Sequence, residues 1–404
     1  VAGFQINSLG PYTPASVDGW PVCGNEWHFW TDSLIDNVFI IGAGASGLST
    51  AMALLQRGRR VTVLERAAVG SESSWAGGGI LSPLLPWDYA MPVTTLALRS
   101  MAGYADWVAK IETIANQGAE FWRCGMLTLD VAAPEQAVAW CATNGMTAVR
   151  GVPARTPFLP SSLRDEGRDS IWLPEVAQVR NPRLVAALRA AVVQLGGVIR
   201  EQCPATGVLT QGGRVTAVRT ATETFPADSV VLATGAWSGL GLAGLAPTPH
   251  IRPIRGQMLL FKLEPGVLET ILYRNGLYLI PRRDGHVLVG STLEDAGFDK
   301  STDDATRQRL HAEAAELLPV LAEVQPARYW AGLRPGSPDN IPVIDRHPDF
   351  DNVYVNTGHY RYGVTMAPAS AQLLVNLMEG NAPQLDPAPY SWKAALERRW
   401  PDPL

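Results

Sequence analysis

Hydrophobic residues along this chain fall into short bounded runs as well as longer amphipathic stretches. Val38-Phe39-Ile40-Ile41 is a continuous apolar run followed by Gly42-Ala43-Gly44-Ala45-Ser46-Gly47. A mainly apolar stretch then reaches Gly58, and Val61-Thr62-Val63-Leu64 ends on Glu65. Short apolar runs read as buried strands and longer apolar stretches as helices, so this segment predicts strand, glycine turn, helix, strand. Ser229-Val230-Val231-Leu232 predicts another buried strand, running out into the small residues Ala233-Thr234-Gly235 before Ala236-Trp237. A further strand is expected at 353–356, and strand-like runs occur near 119–131, 205–210 and 214–220. Helical spacing marks 95–117, 181–195, a charged stretch at about 303–317, and about 364–379. Between residues 251 and 292 the pattern alternates with period two, including 277–281 and 286–290. That predicts an antiparallel sheet with one face free to roof a pocket.

Nucleotide-type strands thus occur at the start, middle and end, with sheet-roof elements between them. The fold class expected is α/β, a Rossmann-like dinucleotide-binding domain interleaved with an antiparallel-sheet substrate domain. Segments 37–90, 170–245 and 330–392 are assigned to the first domain, and 91–169 and 246–329 to the second. Residues 1–36 form a separate N-terminal arm, and no internal repeat is found. A chain of 404 residues exceeds one ordinary core, which agrees with two domains.

Composition narrows the function classes. A hydrophobic share of 47% with 18% charged residues describes a globular protein. The net charge of −5 is relieved by no basic run, so nucleic acid is not expected as a partner. No apolar stretch reaches the ~20 residues that span a bilayer, so no integral membrane segment is expected. Cys23, Cys124, Cys141 and Cys203 are scattered, which speaks for reduced thiols and a cytoplasmic location over a disulfide scaffold or zinc site. The six histidines are dispersed too, and no metal site is expected. The first 35 or so residues place Trp20, Trp27 and Trp30 among Gly, Pro and Asn, without the charged and apolar regions of a signal peptide. Two readings stay open there, an accessory arm packed on the body or sequence upstream of the natural start.

The glycine turn carries the first chemistry. Gly42 permits the tight turn, Gly44 lets the backbone approach phosphates, and Gly47 lets the helix pack closely on the strand. Glu65 follows Gly42 by 23 positions, close to the ~20 at which an acid accepts ribose hydroxyls. A dinucleotide pyrophosphate on the helix N-terminus is the expectation. The Ser/Gly-rich stretch 70–80 is expected to offer backbone N–H groups to phosphates or to a ring system. The small end of the strand at 229–232, Thr234 and Gly235 included, leaves room for a ligand at the strand's C-terminal edge.

At this point the sequence resembles the FAD-dependent amine oxidases of the D-amino-acid oxidase and sarcosine oxidase type. Within them it is most similar to the glycine oxidases, which supply an imine for thiazole formation in thiamine biosynthesis. The likeness rests on the Gly42–Gly47 turn with Glu65, Ser73-Ser74-Trp75-Ala76-Gly77-Gly78-Gly79, and Ala233-Thr234-Gly235-Ala236-Trp237-Ser238. It continues through Arg255-Gly256-Gln257, Tyr278-Leu279-Ile280-Pro281-Arg282, Trp330-Ala331-Gly332-Leu333-Arg334-Pro335-Gly336 and Gly358-His359-Tyr360-Arg361. It covers roughly residues 37–392, and the last two motifs are far more specific than the first.

The resemblance implies FAD contacts from Ala45 and Ser46 at the turn, and from Glu65 and Arg66 around the ribose. It places Ser73 and Ser74 at the pyrophosphate, Gly78, Gly79 and Ile80 at the isoalloxazine, and the Ala205 backbone at adenine. The segment His359, Tyr360, Arg361, Tyr362, Gly363, Val364 and Thr365 would hold the pyrimidine end of the flavin. Arg334 matches the arginine that binds the substrate carboxylate, Tyr278 a tyrosine that helps hold it, and Arg361 an active-site residue near substrate and flavin. Two departures stand out. Tyr362 occupies a position where the glycine-oxidase pattern has Asn. Relatives with covalent flavin carry a Cys where this chain has Ala331, Gly332 and Leu333, so the FAD is expected to be noncovalent.

The residues make chemical sense in these roles. A planar arginine fork suits a carboxylate, and Arg334 has no acid near it in sequence until Asp339. Tyr278 alternates onto one strand face with Ile280. A helix N-terminus at Val364-Thr365 would stabilise the negative charge of a reduced flavin. Hydride transfer from a neutral amine needs no strong base, so His359 is expected to orient backbone and not to exchange protons. The expected activity is oxidation of glycine and other small amines or D-amino acids by molecular oxygen, giving oxo acid, ammonia and hydrogen peroxide. The alternative is a D-amino-acid oxidase or a quinone-linked dehydrogenase. A homo-oligomer stays open.

Overall fold

The computed structural model describes residues 36–153, 160 and 169–401. The N-terminal arm expected at 1–36 lies, apart from Asp36, outside the described residues. The described segments belong to one compact unit, Asp36–Leu404.

A six-stranded sheet carries the nucleotide motif, in the order Val343–Arg346, Val353–Thr357, Ser229–Leu232, Asn37–Ile41, Arg60–Leu64, Val198–Arg200. The strand Asn37–Ile41 runs parallel to both neighbours, with Ile41 opposite Leu232 on one side and Leu64 on the other. Its continuous apolar composition follows from burial on both faces: Ile40 packs with the helix Ala45–Leu55, while Phe39 and Ile41 pack on the opposite side with Val230 and Leu232. A three-stranded antiparallel meander, Ala205–Gln211, Arg214–Thr220 and Thr224–Pro226, covers that second side.

The second sheet has eight strands, in the order Arg328–Gly336, Arg252–Lys262, His286–Gly290, Leu277–Pro281, Ile271–Arg274, Met126–Leu129, Ile171–Leu173, Val149–Arg150. It is antiparallel except where Ile271–Arg274 meets Met126–Leu129 in parallel. Alternation along Leu277–Pro281 sorts its side chains between two cores. Tyr278 and Ile280 face the cluster shared with the first sheet, and Leu277 and Leu279 face a cluster that includes Leu310, Ala314 and Leu317. The face expected to roof a pocket is the one that bears Tyr278 and Ile280, and the opposite face is covered by the helix Asp304–Leu317, whose N-terminus is capped by the Asp303 carboxylate accepting from the Thr306 N–H at 2.8 Å. Period two was a true signal of the strand. It could not say whether the outer face meets water or a helix.

One helix expectation needs correction. The stretch 95–117 is two helices, Met91–Ala102 and Tyr104–Ala115, separated at Gly103 (φ −113°, ψ 7°). Gly has little helical preference, and here both helices bury different residues, Leu96 and Ala97 on one and Val108 and Ile111 on the other. The expected helix at 364–379 is Gly363–Met378, with Pro368 accommodated inside its first turns. Among the described residues no helix is long and apolar enough to cross a membrane.

Candidate active site

A cavity opens at the C-terminal ends of Asn37–Ile41 and Ser229–Leu232, where an open α/β sheet binds ligands. Its walls begin at Glu65, Arg66, Ala205 and Trp237, pass the turn Gly42, Gly44, Ala45 and Ser46 with Ser73, Ser74, Thr234 and Gly235, and continue along Gly77–Ile80. They end at Tyr278, Ser291, Arg334 and the segment from His359 to Thr365. The residues expected at the site are thus brought to one cavity, with one correction. Gly47 does not line it. A Cβ there would lie 2.0 Å from the Gly42 carbonyl oxygen, so Gly47 acts from behind by letting the helix reach the turn.

The turn leaves donors for an anion. Gly42 has φ +108°, and a Cβ on it would sit 2.3 Å from the Ala233 carbonyl oxygen. The Ala45 N–H donates to Ser74 Oγ at 2.9 Å. Those of Ser46 and Gly47 find no protein acceptor among the described residues. These are the orphan donors of a helix N-terminus, and a phosphate suits them. The buried Glu65 ties the turn together, its Oε2 accepting from the Ala43 N–H (2.8 Å) and its Oε1 from the Ala67 N–H (3.0 Å). Each oxygen keeps a second lone pair, so backbone bonding leaves capacity for a hydroxyl. Arg66 lies over the Trp237 ring, 3.4 Å from its centroid, and pairs with Glu72 at 2.8 Å.

The segment 77–80 is flat for a steric reason. A Cβ on Gly78 would meet Ile280 Cδ1 at 2.5 Å and Tyr278 Cε2 at 3.4 Å, and one on Gly79 (φ +76°) would meet the Val179 carbonyl oxygen at 2.2 Å. Glycine there lets a shelf run directly under the strand that carries Tyr278. The Thr365 hydroxyl donates to the Ile80 carbonyl at 2.9 Å, which fastens the helix Gly363–Met378 to the shelf. At the start of that helix the Gly363, Val364 and Thr365 N–H groups have no protein acceptor among the described residues, and all three residues line the cavity. This end carries a partial positive charge of ~0.5 e, suited to a ligand atom that becomes anionic.

Arg334 stands on Arg328–Gly336 opposite Ile254. Its Nη1 donates to the carbonyls of Arg255 (3.3 Å) and Thr292 (3.2 Å), and its Nη2 to Ser291 Oγ (2.6 Å). All three acceptors are neutral, and among the described residues no carboxylate pairs with it. Burial lowers its pKa, and the nearby Arg361 pushes the same way. A half-buried cation without a counter-ion is costly, so an incoming carboxylate has much to offset. Gly256 makes room for the fork, since a Cβ would lie 2.2 Å from Nη1. The Tyr278 hydroxyl lies within hydrogen-bonding reach of Arg334 and donates to Met258 Sδ at 3.9 Å, a weak partner easily exchanged for a carboxylate.

Arg361 makes no hydrogen bond or ion pair among the described residues. Burial works against its charge, but Tyr362, Tyr89, Tyr278 and Tyr273 around it outweigh that and raise its pKa. Tyr362 is buried, donates its hydroxyl to Tyr89 and accepts from the Leu84 N–H at 3.3 Å. Its ring meets that of Tyr89 edge-on at 5.1 Å, so the larger residue is a fixed wall. His359 bridges Ser46 Oγ (Nδ1, 3.3 Å) and Ser370 Oγ (Nε2, 2.9 Å). Burial pushes its pKa down to about 4, so near neutral pH it is an uncharged brace between turn and helix. Tyr360 holds a left-handed backbone (φ 46°), with its N–H on the Pro335 carbonyl at 3.0 Å.

Sequence reasoning gave no role to Asn181, Ser291, Gly256 or Arg282. Asn181 is buried, lines the cavity and has an unpartnered Oδ1. Its signal, an Asn-Pro helix start, is common and points to no ligand. Gly256 and Arg282 stand inside the quoted motifs, but their work depends on strands paired across the sheet. No cluster of His, Cys, Asp and Glu among the described residues could hold a metal.

Comparison with known proteins agrees with this geometry. A family model described as FAD dependent oxidoreductase (DAO) matches residues 37–377. The chain is 43% identical to a glycine oxidase of Pseudomonas aeruginosa over 358 residues, 88% of this chain and 98% of that protein. It is 33% identical over 350 residues to a bifunctional ThiO/ThiG protein of Synechocystis, covering 85% of this chain and 51% of that one. The crystal structure of glycine oxidase from Geobacillus kaustophilus superposes with a TM-score of 0.81 at 25% identity, over 88% of this chain and 98% of that chain. A glycine turn with free N–H groups, a flat glycine shelf and a helix N-terminus are what a flavin dinucleotide requires, and the chain belongs to the DAO family of FAD-dependent oxidoreductases.

Proposed function

We propose that the protein oxidises glycine, and other small primary or secondary amines, with molecular oxygen as acceptor. The observation that carries this reading is Arg334, a half-buried guanidinium that, among the described residues, is held only by neutral oxygens at the end of a flavin cavity. FAD, when bound, supplies the acceptor for the hydrogen and electron pair leaving the α-carbon. Arg334 binds the substrate carboxylate in a charge-assisted fork, and the Tyr278 hydroxyl donates to the same group. That anchors the α-carbon over the shelf of Gly78 and Gly79. Arg361 adds positive charge beside the bound anion, and Tyr362 with Tyr89 limits the room for a side chain. The amine becomes an imine, which water hydrolyses to the oxo acid and ammonia, while oxygen takes up the two electrons and two protons as hydrogen peroxide.

In this reading 37–90, 170–245 and 330–392 hold the cofactor, and 91–169 and 246–329 form the substrate side. Ala45, Ser46, Ser73 and Ser74 serve the pyrophosphate, Glu65 and Arg66 the ribose, and Ala205 the adenine. The FAD is noncovalent, the protein works in the cytoplasm, and its imine feeds thiazole formation for thiamine. The match to one half of a ThiO/ThiG protein supports that last role.

Oxygen uptake and peroxide release are to be measured with glycine, sarcosine, D-alanine and D-proline. Peroxide stoichiometric with glyoxylate from glycine is expected. Turnover only with a quinone or an artificial acceptor would favour the dehydrogenase alternative, and D-proline or D-alanine far above glycine would favour a D-amino-acid oxidase.

A further inference from the structure

Arg282 is 7% exposed, and the chemistry proposed above does not use it. It follows directly on Leu277–Pro281, the strand that bears Tyr278. Its guanidinium does not turn to an acid. Nη2 donates to the Gly78 carbonyl at 2.8 Å, and Nη1 donates to the Val179 carbonyl at 3.0 Å and to Gln178 Oε1. Gln178 in turn donates to the Pro281 carbonyl at 2.7 Å, and the Val179 N–H donates to the Gly79 carbonyl at 3.0 Å. One buried cation therefore joins the glycine shelf, the strand Ala177–Gln178 and the strand of Tyr278. Burial lowers its pKa to about 10, while the charges of Glu120 and Asp284 help retain the proton.

The peptide between Gly78 and Gly79 is planar and trans, so its C=O and N–H point in opposite directions. The carbonyl faces Arg282. The Gly79 N–H finds no protein acceptor among the described residues, and Gly79 lines the cavity. A carbonyl that accepts from a cation is polarised, and the N–H across the same peptide becomes a stronger donor.

We propose that Arg282 is a positioning residue of the flavin site, acting through the Gly78–Gly79 peptide to fix the shelf and strengthen the Gly79 N–H presented to the flavin ring. This rests on the placement of Gly78 and Gly79 against the isoalloxazine. Asn181, although unpartnered, offers no comparable link between cofactor and substrate walls.

The test compares wild type with R282K and R282M. FAD affinity is measured by titrating the deflavinated proteins, and the visible flavin spectrum, the flavin midpoint potential and the KM-against-kcat split for glycine are recorded. R282M is expected to bind FAD roughly tenfold more weakly, the effect of one charge-assisted hydrogen bond. Its flavin bands shift, its potential falls, and its kcat drops while KM for glycine stays within about twofold, because the carboxylate fork is intact. R282K, with one point charge for three acceptors, is expected to lie between R282M and wild type. Wild-type FAD affinity, spectrum and potential in both variants would overturn the proposal. Should R282M fail to fold, those same values in R282K alone would do so. If wild type itself took up no FAD, the cofactor assignment would fall instead, which keeps the two failures apart.

Discussion

At the nucleotide end of the cavity the free donors come from the backbone of one contiguous turn, at Ser46 and Gly47, while the N–H groups of Gly42, Ala43 and Ala45 are taken up by Leu64, Glu65 and Ser74. At the substrate end the groups facing inward are side chains, Tyr278 and Arg334, from strands that are not neighbours in the sheet. The first end is specified by conformations only glycine adopts easily. The second depends on strand register, on Gly256 leaving space, and on a half-buried cation that no carboxylate among the described residues pairs with. A backbone site thus tolerates changes in its side chains but not in its glycines, and a side-chain site reverses that. The two ends should respond to mutation in separable ways, one in cofactor retention and the other in substrate binding.

The largest effect expected is at Gly42. Valine there would face a positive φ and place its Cβ 2.3 Å from the Ala233 carbonyl oxygen. Gly42→Val should cost about 3 kcal/mol or more and yield colourless protein. Flavin absorbance after purification with added FAD checks it, and a yellow, active variant would break the contrast. Arg334→Ala should leave the protein yellow. It should lower kcat/KM for glycine by roughly 30- to 5000-fold, equivalent to about 2–5 kcal/mol, mostly through KM. An unchanged KM would remove Arg334 from the carboxylate.

His359 couples the ends and gives a pH signature. Its folded pKa of about 4 lies below the ordinary 6.5, so the unfolded chain binds the proton more readily. The neutral form contributes stability above pH 6.5, and that contribution is lost as pH falls toward 4. Between pH 7 and 5 the loss should be about 2 kcal/mol. Urea midpoints of wild type and His359→Gln at both pH values test this. The variant should show a shallower acid decline, and equal slopes would contradict the buried neutral imidazole. The smallest effect is expected from Tyr278→Phe, which removes one hydrogen bond to a charged group. Its KM for glycine should rise roughly tenfold, about 1.5 kcal/mol, with the flavin spectrum nearly unchanged. A loss as large as that of Arg334→Ala would mean the two side chains act as one unit.

The nucleotide end was legible because its physics is local. Val38–Ile41, the glycines and Glu65 fall within one strand–turn–helix–strand, and each piece leaves its own mark in the sequence. The Gly103 break was not legible. Helical spacing continued through it, and only packing against different neighbours separated the two helices. Tyr278 and Arg334 could be named from motif likeness, but nothing in their own neighbourhoods showed that they meet in one cavity. Arg282 and Gly256 were in plain view and mute. One acts through a carbonyl far away in sequence, and the other acts by lacking a side chain.

By itself the sequence determined the glycine turn, the alternation that sorts side chains of Leu277–Pro281 between two cores, and the lack of charge that would draw nucleic acid. Those follow from short-range sterics, from the period of a strand and from composition. Tertiary structure alone decided that Arg334 has neutral partners, that His359 is kept uncharged, and that the outer face of the second sheet lies under a helix. These are properties of an environment. Burial and counter-charge are set by residues distant along the chain, and they exist only once the strands have paired.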